Sequence, residues 1–462
     1  MPADPKPTLD LRAPQRIHIV GIGGAGMSAI ALVLRAMGHT VTGSDLKESP
    51  VAARLRSQGI TVAVGHRAEN VGQVDAVTYS PAVALTNSEI AAAAEQGAHV
   101  VARSGVLAAI CATRRCLAVA GTKGKTTTAS MLSLILIEAG LRPSFLIGAD
   151  VNEVGTNAVW DSGEWLVVEA DESFGTFQEL RPEWAVLTNV ESDHLDHYVT
   201  FTRLRAAFDE FVAQASLGSV VSADDDEAAA IGREHGSRSV GTAPGAMFAM
   251  TDVVLSRSSV SFTLHAPDGA LGPLVLGVPG LHNARNAALA VVAALQVGVP
   301  FAAAATALAR FAGVTRRFEF RGEPHGVTFV DDYAHLPFAV RAALAPARTG
   351  GWSRVIAVFQ PHRYSRTAEL AEQFGSAFAD ADALVVTDVY SAGEPPVPGV
   401  SGLLVADAVR AQDPRLPVVY APSWEELREV VGSMLRPGDL CLTLGAGDLT
   451  ALPDELVEAP RW

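Results

Sequence analysis

Short runs of apolar, β-branched residues alternate with longer alanine- and leucine-rich stretches along almost the whole chain. The short runs read as strands buried on both faces and the long ones as helices covering them. That alternation predicts βαβ units and mostly parallel sheets, an α/β fold. Arg16-Ile17-His18-Ile19-Val20 reads as a first strand, followed by glycines and a helix over 27–37. A second strand begins at 41–43, and a later one covers 74–79. A polar hinge at 111–115 precedes a strand at 116–120, a glycine loop and a helix at 127–139. Strands follow around 166–168 and 185–187, then a less periodic, antiparallel-looking stretch at 247–276. The uncharged run Asn286 to Ala309 is long enough to raise a membrane span, but its Gly298-Val299-Pro300 break predicts two packed helices instead. From Arg316 onward, strands at 327–330, 355–359, 383–387 and 440–444 alternate with helices at 337–347 and 368–378.

At 462 residues the chain exceeds one core, and about 150 residues per domain gives three. The breaks above place them at 1–113, 114–315 and 316–462. Composition is globular, and a net charge of −15 argues against a nucleic-acid or anionic-membrane surface, since both require a basic face. Cys111, Cys116 and Cys441 have no metal-type spacing and cannot all pair, which fits a reducing cytoplasm. Met1 to Pro14 is polar and proline-rich, so no secretory signal is expected.

Two glycine loops carry the chemistry. Gly21-Ile22-Gly23-Gly24-Ala25-Gly26 fits G-x-G-x-x-G between strand and helix, with Asp45 nineteen residues beyond Gly26. Such a turn lets backbone N–H groups and a helix N-terminus meet a diphosphate, either of NAD or of a UDP-sugar. Gly121-Thr122-Lys123-Gly124-Lys125-Thr126-Thr127 resembles a Walker A loop, although Val119 stands where its first glycine belongs. Its N–H groups would cradle ATP or GTP phosphates, Lys125 would neutralise them, and the Thr126 hydroxyl would reach Mg²⁺. Glu169-Ala170-Asp171-Glu172-Ser173 and Glu191-Ser192-Asp193-His194 follow adjacent strands and offer metal ligands, above all Glu169 and His194. Asp331-Asp332-Tyr333-Ala334-His335 and Gln360-Pro361-His362-Arg363-Tyr364-Ser365-Arg366 place acid, base and arginines at one sheet edge, suited to a small zwitterion or anion. His18 and His39 read as structural.

These motifs, with Gly43-Ser44-Asp45, Gly155-Thr156-Asn157-Ala158, Thr188-Asn189, His282-Asn283, Asn286-Ala287 and Arg316-Arg317-Phe318-Glu319, occur in the order seen in the Mur ligases, which the chain resembles over nearly its whole length. The resemblance implies a Rossmann-like N-terminal domain, a central P-loop-type ATPase domain with a mostly parallel sheet, and a Rossmann-like C-terminal domain. It settles the first loop in favour of UDP. Gly23, Gly24, Ala25 and Gly26 would hold the diphosphate, with Ser44 and Asp45 near the nucleoside. Gly121, Thr122, Lys123, Gly124, Lys125, Thr126 and Thr127 would hold ATP, with Asn283 near adenine and Arg317 near the phosphates. Thr126, Glu169 and His194 would bind Mg²⁺. Asp331, Tyr333, His335, His362 and Arg363 would surround the acceptor and amino acid, with His335 or Asp331 as base or orienter. The implied activity, in the alanine-adding branch, joins L-alanine to the carboxylate of UDP-N-acetylmuramate through an acyl phosphate, with ATP consumed.

The chain departs from that branch at three places: Lys123 replaces a histidine, Phe174 an acidic residue, and Leu336-Pro337-Phe338-Ala339 a His-Pro-Thr-Glu sequence. The second and third changes make the pockets more apolar. Arg205 to Phe208 lacks the modified lysine of some sister ligases, as the alanine-adding branch typically does. A paralogue using another amino acid or acceptor, and a regulator without turnover, share the same motifs.

Overall fold

A computed structural model describes residues 9–256 and 259–459, so most of the stretch read for a secretory signal lies outside it. Three sheets organise the chain. The first has five parallel strands in the order Thr61–Val64, Thr40–Asp45, Arg16–Val20, Ala76–Tyr79, His99–Ala102. Its strand order reverses between Arg16–Val20 and Ala76–Tyr79, the kind of switch point at which open α/β sheets bind ligands.

In the second, ten-stranded sheet, Arg115–Ala120 lies between Trp184–Leu187 and Trp165–Glu169 and is parallel to both. Cys116 to Ala120 are all buried, which is why this strand reads as an unbroken apolar run rather than an alternating one. Hairpins close both margins: Ser144–Val151 pairs antiparallel with Thr156–Val159, and Val260–Ala266 with Gly269–Leu276. The stretch expected to be antiparallel is so only in part, because Phe248–Leu255 runs parallel to Arg238–Gly241. The third sheet has six strands, five of them parallel, with Glu319–Gly322 antiparallel at its edge.

By contact the chain forms two compact units. Met1–Val254, Val260–Gly277 and His282–Ala312 make the first; Leu255–Ser259, Val278–Leu281 and Gly313–Trp462 make the second. The first two sheets share the first unit because helix Ala25–Ala36 packs on Ser144–Val151 and Thr156–Val159, and helix Arg103–Cys111 on Ser173–Glu179. One apolar core runs through both. The alanine-rich run forms helices Leu281–Gln296 and Phe301–Ala309, broken at the glycine and proline as expected. Among the described residues no helix is long and apolar enough to cross a membrane.

Some elements escaped the periodicity. Helix Tyr364–Phe374 begins within the polar stretch Gln360 to Arg366, ahead of the expected 368–378. Helix Trp424–Met434 was unassigned, although Ser423 and Glu426 form a capping box that a sequence can display.

Phe177, Phe208 and Phe211 anchor the first unit's core, with Phe177 centred 5.1 Å from Phe208 and 5.3 Å from Phe211 and all three fully buried. Phe208→Ala is expected to lower unfolding free energy by about 3–5 kcal/mol in denaturant titration; a loss under about 1 kcal/mol would show that this cluster does not hold the unit together.

Candidate active site

The phosphate loop begins where the central strand ends. Gly121 has φ 132°, and a Cβ there would collide with the Thr188 hydroxyl. That hydroxyl is fixed, donating 2.6 Å to the Lys123 carbonyl, so only glycine can make the corner. Val119 causes no difficulty in place of a Walker glycine, because it still belongs to the buried strand and the chain turns two residues later. Asn189 clamps the loop from the neighbouring strand end. Its carbonyl accepts from Thr122 N (3.0 Å), its Oδ1 from Lys123 N (2.9 Å), and its Nδ2 donates to the Lys123 carbonyl (2.8 Å). Gly124, at φ 82°, leaves room for the buried Asn286, whose Oδ1 would lie 2.5 Å from an added Cβ. Helix Lys125–Glu138 then starts with its first N–H groups, Thr127 among them, at the loop, a geometry suited to anions.

Lys125 folds back over this loop. Its Nζ donates to the Gly121 carbonyl (2.7 Å) and to Glu172 Oε1 (2.9 Å), and lies 2.7 Å from Glu172 Oε2. Glu172 is fully buried; burial pushes its carboxyl pKa up, while Lys125 pulls the other way. Lys123, the histidine replacement, is half exposed and its ammonium pairs with Glu191 at 2.5 Å.

The expected metal ligands divide into two groups. Thr126 Oγ1 donates to Glu169 Oε1 (2.9 Å), whose other oxygen accepts from Gly148 N (2.6 Å). His194, held at φ 50°, instead joins Asp171 and Glu172, with one ligand atom from each residue within 4.8 Å of the others. Burial disfavours the Asp171 charge, but Lys125, hydrogen bonds from Ser173 and Arg103 outweigh it and lower its pKa. Asp171 and Glu172 lie in the same acidic run as Glu169, and the fold rather than the run itself distinguishes them. The Phe174 side chain lies outside the described residues.

At the first glycine loop, Gly21 N and Ile22 N donate to the Ser44 carbonyl, and Gly23 N donates 2.8 Å to Asp45 Oδ2. Gly24 caps helix Ala25–Ala36. Asp45 is therefore tied to the loop backbone itself. The Ser44 side chain is buried, donating to Glu89 and lying 2.8 Å from His66 Nδ1, while its carbonyl receives the loop N–H groups. Glu89 is also buried. Burial opposes its charge, yet His18, Ser44, Asn70 and Arg67 N hydrogen-bond it down to about 2.

In the second unit, Tyr333, His335, His362 and Tyr390 form a chain of rings, with centroids 5.2, 5.3 and 5.7 Å apart in turn. Arg316 and Arg317 lie over Tyr333 at 5.0 and 5.8 Å. Arg363 adopts φ 72°, a strained backbone that commonly marks functional sites, and its N–H donates to the Tyr390 carbonyl. Arg366 sits three residues on, half-buried, and burial together with Arg363 lowers its pKa. It was quoted in the sequence motif but not chosen; the spacing of three on a helix start was the available signal. Asp331 is 1% exposed, accepts from Thr443 (2.6 Å) and Thr450 (2.7 Å) and lies 3.4 Å from Arg316 Nε, so it is tied into the sheet edge. Leu336, where the branch has a histidine, is the N-cap of helix Pro337–Thr349 and offers it no side-chain cap; Phe338, at the threonine's place, lies inside the helix. Asn283 lies buried in the first turn of helix Leu281–Gln296.

Sequence profiles of Mur ligases match this architecture in order: the family's catalytic domain at 16–115, its middle domain at 119–294 and its glutamate ligase domain at 316–447. The chain belongs to the Mur ligase family. Similar relatives include the UDP-N-acetylmuramate–L-alanine ligases of Acidothermus cellulolyticus, 44% identical over 96% of this chain and 95% of that one, and of Pelotomaculum thermopropionicum, 41% identical over 96% and 97%. Among solved structures, the UDP-N-acetylmuramate-alanine ligase MurC of Thermotoga maritima superposes with TM-score 0.80 at 30% identity, covering 96% of this chain and 98% of that one. A murein peptide ligase of Psychrobacter arcticus follows at 0.69 and 25%, covering 97% and 100%.

For this Mur ligase the buried Lys125–Glu172 pair makes a sharp test. Lys125→Ala is expected to reduce ATP-dependent phosphate release by at least roughly a thousandfold, the scale of losing a cation at a transferring phosphoryl group. A rate near wild type in a folded variant would refute the assignment of the loop.

Proposed function

We propose that the protein is an ATP-dependent ligase joining L-alanine to the carboxylate of UDP-N-acetylmuramate, a cytoplasmic step of peptidoglycan precursor synthesis. The observation that carries this reading is the Lys125–Thr126 loop set against Glu169 and Glu172. The names of relatives that match over nearly the full length support the substrates. We assign 1–113 to the UDP-sugar, 114–315 to ATP and 316–462 to the amino acid.

A carboxylate is a poor electrophile, and phosphorylation by ATP converts it to an acyl phosphate that an amine can attack. Gly121 to Thr127 would cradle the ATP phosphates, with Asn283 near adenine and Arg317 near the phosphates by family resemblance. Lys125 would offset charge on the transferring group, so no covalent protein nucleophile is required. The Thr126 hydroxyl and Glu169 fit Mg²⁺, and Asp171, Glu172 and His194 offer a second set of ligand atoms. Bound Mg²⁺ supplies charge neutralisation and orients phosphate oxygens. Gly23, Gly24, Ala25 and Gly26 would hold the UDP diphosphate.

Tyr333, His335, His362, Arg363 and Arg366 would receive the amino acid, the arginines facing its carboxylate. His335 Nδ1 lies 3.0 Å from the Tyr333 carbonyl, an acceptor, so Nδ1 carries the proton and Nε2 presents a lone pair. Burial depresses His335 to about 4, with Arg366 adding to the effect, and His362 likewise reaches about 4. The α-ammonium of a free amino acid is more basic than a chain N-terminus, so taking its proton onto an imidazole depressed to about 4 would be strongly uphill. His335 therefore acts as a neutral acceptor that aims the amine rather than as a strong base. The expected outcome is that His335→Gln, which keeps an acceptor, retains most of kcat, while His335→Phe loses roughly tenfold to a hundredfold. No acid limb near the ordinary histidine pKa should trace to His335 in the kcat/KM profile; a limb near 6.5 that vanishes in His335→Gln would contradict this role.

The function itself is tested by phosphate release with ATP-Mg²⁺, UDP-N-acetylmuramate and a panel of amino acids. L-alanine should be preferred. Preference for a larger residue or for a peptide would favour the paralogue reading, which the murein peptide ligase neighbour and the apolar Leu336 make the second choice. No release with any amine, despite ATP binding, would point to a regulator.

A further inference from the structure

Within the first unit, a cavity of about 190 Å³ lies between helix Ala25–Ala36 and the second sheet. Gly26, Ala29 and Ile30 line one side; Leu146, Gly148, Glu169 and Asp171 line the other. Arg103, at the start of helix Arg103–Cys111, is the one basic side chain among the described lining residues. Its guanidinium is seated flat on Gly26. A Cβ built there would lie 2.8 Å from Nη2, 2.9 Å from Cζ and 3.2 Å from Nε. Gly26 has no positive φ, so backbone strain does not explain the glycine. The third glycine of the first loop is what admits the cation.

The charge balance shows what that cation is for. The cavity's opposite wall carries Glu169 and Asp171, and the whole chain is at −15. An acceptor bearing a diphosphate and a carboxylate enters against that field unless a fixed cation offsets it. Arg103 and Asp171 line the same cavity, so the guanidinium seated on Gly26 faces the space that the acidic strand end also borders. A planar guanidinium with several donors suits an oxyanion better than a lone ammonium does.

We propose that Arg103, seated on Gly26, binds an oxyanion of the acceptor and orients it between the first glycine loop and the Glu169–Asp171 edge. This rests on the UDP-sugar reading above. The oxyanion is either the diphosphate beside Gly26 or the carboxylate at the acidic end, and both take the same chemistry.

Calorimetric binding of UDP, UDP-N-acetylmuramate and a non-hydrolysable ATP analogue to the full chain separates the cases, using wild type, Arg103→Ala, Arg103→Lys and Gly26→Ala. A charge-assisted contact predicts that Arg103→Ala weakens UDP-N-acetylmuramate by roughly tenfold to a hundredfold and leaves the ATP analogue unchanged. Arg103→Lys should recover part of the loss. Gly26→Ala should displace the guanidinium and lose a similar factor, with no further loss when Arg103→Ala is added. Equal weakening of UDP identifies the diphosphate as the partner; UDP unchanged identifies the carboxylate. If Arg103→Ala, or Arg103→Lys and Gly26→Ala should the alanine variant not fold, binds UDP-N-acetylmuramate as wild type does, the proposal is wrong. If wild type itself binds no UDP-N-acetylmuramate, the functional reading falls, and this inference with it.

Discussion

The site depends on the corner at Gly121, where a buried parallel strand must turn into a helix without room for a side chain. The Thr188 hydroxyl fills that space and is locked by its bond to the Lys123 carbonyl. Because the corner is this tight, the loop N–H groups converge, the helix N-terminus follows at once, and Lys125 can reach back to the Gly121 carbonyl. Asn189 and Asn286 brace the same loop from two other elements. A phosphate cradle of this kind is preorganised by packing, so its ordering entropy is met during folding rather than at the moment of binding.

Charge is then distributed with little slack. Glu172 is buried and balanced chiefly by Lys125; removing one member of such a pair leaves an uncompensated charge worth about 3–5 kcal/mol. Thr126 and Glu169 are engaged with each other, while His194 faces the other two acids. The second unit is arranged differently: two histidines whose pKa burial lowers to about 4 stand beside four arginines, an arrangement suited to a carboxylate and an amine in the proposed reading.

Much of this was legible in the chain. Strand and helix alternation, both glycine loops, the two alanine-rich helices and the acidic strand ends all depend on local pattern, and they lie where the pattern put them. Motif order alone was enough to indicate the family. The inward contacts of Asp331 and Ser44 were not legible, because a motif says which residue stands at a strand end and not which way it faces; both turn to threonines or a glutamate far away in sequence. Asp171, Glu172 and Arg366 were passed over for the same reason. Their value comes from burial and from neighbours on other strands.

The sequence by itself determined the α/β class, the phosphate loop around Lys125 and the ligase family, because each is encoded in short contiguous spacing. Only the tertiary structure decided that Glu172 is Lys125's buried partner, that burial lowers the pKa of His335, and that Arg103 packs where a side chain on Gly26 would lie. Desolvation and close approach between residues distant in sequence set those properties, and neither quantity exists until the chain has folded.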